Sequence, residues 1–160
     1  MKQKKTTDIY VFKRNKRQGG TPILNTITSY VYENPNTGKR NYCISFSVGT
    51  AMLLGLRHNT PLLFVTTLSK DKLMPKKMFI RVADKSETNI TACCRKAISK
   101  SRQEQRNQIY LSVHSNETTK ALLDFAKAKK SAKFFIAAKP KTINGKDFYE
   151  ILIDNPIKSE

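Results

Sequence analysis

Hydrophobic and polar positions along this chain fall into short runs, most with the two-residue period of a strand and two with the spacing of a helix. In DIYVFKR (8–14), Ile9 and Val11 alternate with Tyr10 and Phe12, which predicts a short strand; KRNKRQGG then breaks it, with Gly19-Gly20 as the hinge. TPILNTITSYVY (21–32) is rich in β-branched and aromatic residues, and ENPNTGKR (33–40) carries Asn-Pro and Thr-Gly turn signals. A hairpin is expected, its second strand (39–47) placing Tyr42, Ile44 and Phe46 on one face and Asn41, Cys43, Ser45 and Ser47 on the other. Ser47 can then cap a helix through Leu56, with Ala51, Met52, Leu53 and Leu54 inward and Gly49 and Gly55 keeping it brief. LLFVTTL (62–68) and MFIRVA (78–83) read as strands around a basic connector, SKDKLMPKK (69–77).

The second half opens on residues 88–107, where a strand to about Lys96 followed by a polar loop is expected, although Ile90, Cys94, Ala97 and Ile98 also fit a helical stripe. QIYLSVH (108–114) is a strand with Ile109, Leu111 and Val113 on one face. Ser115 is a suitable N-cap, with Glu117 in the first turn of a helix running through Lys130; that helix buries Leu122, Phe125 and Ala126 and exposes Lys120, Lys127 and Lys130. AKFFIAA (132–138) and DFYEILI (147–153) are the last strands, joined by KPKTINGK with its Asn144-Gly145 turn.

Both halves thus read as strands around one helix, and the expected fold is α+β: a sheet-dominated single domain with two pseudo-repeated β-β-α-β-β halves. Its parts are a basic arm with a short strand (1–20), a first half (21–85), a second half (86–155) and a short tail (156–160). Aligning Tyr42 with Tyr110 would set the apolar face of one strand against the polar face of the other, because a one-residue slip flips every side chain. Matching Tyr42, Ile44 and Phe46 to Ile109, Leu111 and Val113 restores the buried face.

Charge changes the picture most. Thirty Lys and Arg against twelve Asp and Glu give a net charge of +18 over 160 residues and a pI near 10.0. Such an excess repels itself in the compact state, so a polyanionic partner is expected, nucleic acid before an anionic membrane surface. The excess is uneven: residues 1–20 hold seven basic side chains against Asp8, and residues 120–146 hold eight against Asp124. The last fourteen residues reverse it, with Asp147, Glu150, Asp154 and Glu160 against Lys158. No apolar run reaches the roughly 18 residues of a membrane span, and MKQKKTTDIYVFKRNK lacks a secretory core, so a cytoplasmic protein is expected, or a virion component if the source is viral.

Cys43, Cys93 and Cys94 form no CxxC pair, and His58 and His114 stand alone, so neither a disulfide framework nor a metal site is expected. RQGGTP has neither the spacing nor the Lys-Ser/Thr of a phosphate loop. His114 with Ser112 or Ser115, or Cys43 with a distant His, lacks a third orienting group, and the acids are scattered singly, so no catalytic residue is assigned and an enzyme is not expected. A pocket uniting Cys43, His58 and His114 would reverse that expectation.

ISFSVGTAMLLGLRHNTPLLFVTTL…KKMFIRVA resembles the AbrB-like swapped-hairpin transcription factors in its order of strand, short helix ending in Leu-Gly-Leu, strand, turn and strand. It departs from them in lacking an Arg-Val-Val-Ile-Pro-type stretch before the helix and in its long connector at 69–77. The strands 62–68, 78–83, 88–96 and 108–114 followed by a helix resemble the Whirly-like single-stranded DNA-binding proteins. Both resemblances imply DNA binding through sheet surfaces and basic loops.

Aromatic rings beside cations suit single-strand binding, since bases stack on rings while Lys and Arg track phosphates. The candidate contacts are Tyr10, Phe12, Lys13, Arg14, Lys16 and Arg17 in the arm, and Tyr30, Tyr32, Lys39 and Arg40 at the first hairpin. The basic loops add Lys72, Lys76 and Lys77, then Lys139, Lys141 and Lys146. The expected function is non-catalytic nucleic-acid binding, DNA favoured, of single-stranded or transcription-regulator type, with no cofactor and no small-molecule substrate. The alternative is a structural or assembly subunit whose basic surface lies on packaged nucleic acid or an acidic partner. A monomer and a homo-oligomer both fit.

Overall fold

The computed structural model describes residues 24–68, 75–96 and 111–160. The expected strand at 8–14, the connector at 69–74 and the segment 97–110 lie outside the described residues. Among the described residues eleven strands form two antiparallel sheets accompanied by two helices, so the protein is α+β and dominated by sheet. Among the described residues no helix is long and apolar enough to cross a membrane.

The first hairpin pairs β1 (Thr26–Glu33) with β2 (Arg40–Phe46) from Ile27 opposite Phe46 to Glu33 opposite Arg40. Ser47 caps α1 (Val48–Leu54), its Oγ accepting from the Thr50 N–H, and Gly55 ends the helix at φ 62° with its N–H reaching back to Ala51 and Met52. Met52 is 71% exposed, correcting the inward placement: its side chain points away from the side of the seven-residue helix that carries Ala51, Leu53 and Leu54.

β3 (Pro61–Leu68) and β4 (Pro75–Val82) form the next hairpin. Met78, Phe79, Ile80 and Arg81 of β4 are all buried, because β4 lies inside the second sheet and is covered on both faces. Residues 88–96 contain two two-residue strands, β5 (Ala92–Cys93) and β6 (Arg95–Lys96), and no helix. β7 (Leu111–His114) leads into α2 (Asn116–Phe125), capped by Ser115. This helix stops five residues short of the expected end: Lys127 turns to φ 51° and the Ala128 N–H bonds the Leu123 carbonyl at 2.9 Å, so the chain can enter β8 (Ser131–Phe135).

β9 (Lys141–Ile143) and β10 (Lys146–Ile151) form a hairpin around Asn144-Gly145. Both turn residues have positive φ, 50° and 76°, as the two-residue turn that matches strand twist requires. The expected tail is in fact β11 (Lys158–Ser159), paired with β8. It satisfies backbone groups on the β8 edge that would otherwise lack partners: Ile157 donates to Lys133 at 2.7 Å and Glu160 to Ser131 at 2.8 Å.

The first sheet runs β11-β8-β1-β2-β7-β6 and the second β5-β3-β4-β10-β9, so both halves contribute to both sheets. β2 pairs with β7 and β4 with β10, each joining one half to the other. Two further pairings change places when the halves are exchanged, β1 with β2 becoming β6 with β7 and β1 with β8 becoming β5 with β3, whereas β3 with β4, β9 with β10 and β8 with β11 have no such counterpart. With Ile44 matched to Leu111 and Phe46 to Val113, Ser45 corresponds to Ser112, and these two residues lie directly opposite each other. One core fills the space between the sheets and α2, centred on Ile27, Ile44, Leu62, Ile80, Leu122 and Phe134.

Candidate nucleic-acid interface

Directly paired residues in an antiparallel sheet share a face, so the registers of the first sheet specify its two surfaces. One carries Ile27, Ser29, Ile44, Phe46, Val113 and Phe134 into the core and is covered by α2. The other carries polar rows. Lys133, Thr28, Ser45, Ser112 and Arg95 cross five strands in one line, and Ser131, Tyr30, Cys43 and His114 cross four in the next. Tyr32 and Asn41 begin a third row at the hairpin end.

Thr28, Ser45, Ser112 and Lys133 are half-buried, while Arg95, His114 and Tyr32 are exposed. The face thus has hydroxyls along its middle, one cation at each side and two tyrosines, with Tyr32 52% accessible. An extended polyanion could lie along it with phosphates toward Lys133 and Arg95 and bases toward the rings.

The second row has its own chemistry. Cys43 Sγ lies 3.3 Å from His114 Nδ1, and the Tyr30 hydroxyl also bonds the sulfur. Burial pushes the Cys43 thiol up, against an opposing effect of the Tyr30 bond. Burial first, then the neighbouring sulfur, pushes Tyr30 up to about 12. A thiol nucleophile needs a lowered pKa and access, and Cys43 has neither, being 4% exposed. His58 does not join the pair: its Nδ1 accepts from the Lys96 N–H, and Lys96 pairs with Leu111, at the other end of β7 from His114. Among the described residues no cluster of metal-ligating side chains forms.

Tyr10, Phe12, Lys13, Arg14, Lys16, Arg17 and Lys72 lie outside the described residues. Tyr30 and Tyr32 are on the polar face, while Lys39 and Arg40 are exposed at the hairpin, where Arg40 pairs with Glu33 at 3.7 Å. The remaining candidates belong to the second sheet and its loops. Lys76 and Lys139 are exposed, Lys77 pairs with Glu150 at 3.6 Å, and Lys146 pairs with Asp84 at 2.8 Å. Lys141 sits 5.9 Å from the Phe79 ring centroid. The candidates therefore divide between two sheets, and acids already face three of their cations.

Lys133, Arg95, Thr28, Ser45, Ser112 and His114 escaped the sequence reading as interface residues. Alternation in β8, with Ala132 and Phe134 buried, puts Lys133 outward and was legible; the alignment of its row with Arg95 depends on pairings across the whole sheet. Arg81 is a structural cation: its Nη2 bonds Glu87, its Nη1 donates to the Val82 carbonyl at 3.2 Å, and its guanidinium lies 5.3 Å from the Phe148 ring centroid. That bond holds the Glu87 carboxyl below its usual range. No family model matches the chain, and neither the curated proteins nor the solved structures compared with it include a match.

Proposed function

We propose that this protein binds nucleic acid without catalysis, single-stranded DNA first, through the polar face of its first sheet together with the basic N-terminal arm. The observation that carries the reading is the row Lys133, Thr28, Ser45, Ser112 and Arg95: five polar side chains aligned across five strands on the face opposite the core. The net charge of +18 supports the reading, since a polyanion relieves self-repulsion and releases counterions on binding.

The test is a competition among single-stranded DNA, duplex DNA and RNA, with affinity followed against salt. Saturable binding with a steep salt slope and a preference for the single strand is expected. Absence of binding at low salt, or binding without a salt slope, would remove the reading.

A further inference from the structure

On the core-side surface of the first sheet, the end of α2 and the turn after it leave a groove of about 560 Å³ against the β1–β2 hairpin. Its less accessible lining includes half-buried Tyr42 and Val31 and buried Leu123. Its rim carries Lys120, Lys129, Lys130 and Arg40 against Glu33 and Asp124, an excess of two positive charges. Arg40 and Glu33 engage each other at 3.7 Å, which leaves three lysines against Asp124.

Two features make this a built site. Lys120 Nζ lies 4.8 Å from the Tyr42 ring centroid, so the ring presents its face to the groove and already attracts a cation there. The backbone beneath the other two lysines is held tightly: the N–H groups of Lys129, Lys130 and Ser131 all donate to the main-chain oxygen of Glu160, at 3.1, 2.7 and 3.1 Å. The Lys130 carbonyl in turn accepts from Val31 at 2.9 Å. The roots of Lys129 and Lys130 are thereby pinned to the sheet, and only their charged ends need ordering by a ligand.

The space is larger than a bare phosphate needs and falls within the roughly 300–1,000 Å³ of small-ligand sites. An aromatic lining with a cationic rim fits a flat ring carrying a phosphate. We propose that the groove holds one nucleotide unit, its base stacked on Tyr42 in place of Lys120 and its phosphate neutralised by Lys129, Lys130 and the displaced Lys120. The unit is a free mononucleotide or one residue of a bound strand. This inference stands apart from the polar-face reading, because the groove opens on the opposite surface of the sheet.

The experiment is an amide-resolved NMR titration of the whole chain with AMP, adenosine, inorganic phosphate and a ten-nucleotide single-stranded oligo-dA. Saturable shifts at the amides of Val31, Tyr42 and Lys130 are expected with AMP or the oligonucleotide. A response to AMP assigns the free nucleotide; a response to the oligonucleotide alone assigns a residue of a strand. Phosphate should bind at least about tenfold more weakly than whichever ligand responds. Tyr42→Leu and the double variant Lys129→Glu/Lys130→Glu should each weaken binding about tenfold, a change of ~1.4 kcal/mol. The double variant alters exposed side chains, so it carries the test if Tyr42→Leu does not fold. Lys133→Glu/Arg95→Glu should leave AMP binding unchanged, which separates this site from the polar face. Silence at those amides with both ligands, phosphate binding as tightly as the nucleotide, or unaltered binding by the double variant would overturn the proposal.

Discussion

Ile44 of β2 lies directly opposite Val113 of β7, and neither side chain is accessible to solvent. They stand 69 positions apart in sequence, so this contact is one of those that join the two halves within the first sheet. Ile44→Ala should cost about 3 kcal/mol, the usual loss for emptying a buried isoleucine site. Because both sheets contain strands from both halves, urea unfolding should shift as one transition rather than split. Circular dichroism and hydrogen exchange on residues of each half would show whether they move together.

The two helix caps should not be equal. Ser115 Oγ accepts from the Thr118 N–H at 3.4 Å, whereas Ser47 Oγ accepts from Thr50 at 3.2 Å and from Thr26 at 3.0 Å and donates to the Leu24 carbonyl at 2.6 Å. Ser115→Ala should cost about 1 kcal/mol and Ser47→Ala about 2, since the latter also loosens the start of β1. Equal denaturation midpoints for the two variants would contradict the assignment.

Thiol reactivity should divide by burial. Cys94 is fully buried and Cys43 nearly so, while Cys93 is partly open. An aromatic disulfide reagent should therefore label one thiol of the native protein, mapped to Cys93, and all three after denaturation. Rapid native labelling of Cys43 would undo its placement beneath Tyr30 and His114.

Stability should fall on the alkaline side. Burial pushes Cys94 up from 9.0 and Tyr30 up from 10.0, both to about 12, so each ionises in the unfolded chain before it does in the folded one. A raised folded value stabilises fully below the unfolded value and is lost as pH rises toward the folded one. Urea midpoints should hold to about pH 9 and decline toward pH 12, and Tyr30→Phe should flatten the part above pH 10. On the acid side Glu87 works in the opposite sense: its lowered carboxyl stabilises above the ordinary value of 4.5, and that contribution disappears as pH falls through the folded value.

Charge placement gives the most direct functional contrast. Lys133→Glu/Arg95→Glu should weaken oligonucleotide binding by about tenfold or more and lower the salt slope by roughly two, one for each phosphate left without its cation. Lys146→Glu, which removes a cation already paired with Asp84, should do much less. Substituting Lys13, Arg14, Lys16 and Arg17 together should weaken binding uniformly across sequences, and unchanged affinity would take the arm out of the footprint. Fluorescence anisotropy at several salt concentrations measures all three.

The local elements were legible in the order of residues alone. Alternation of Tyr42, Ile44 and Phe46 set the inward face of β2, Ser47 and Ser115 marked where both helices begin, and Asn144-Gly145 dictated its tight turn. Each depends on neighbours within a few residues and on backbone conformations that side-chain chemistry enforces locally. The pairing of distant strands set the partners. Nothing near Lys133 in sequence says that Arg95 ends its row, nor does anything near Cys43 indicate His114, because strand pairing is settled by which distant edges can bury their apolar faces together. The same reason explains the short α2 and the strand at 158–159: a helix running on to Lys130 would have left the chain unable to enter β8, and the β8 edge needed backbone partners that only the last residues supply.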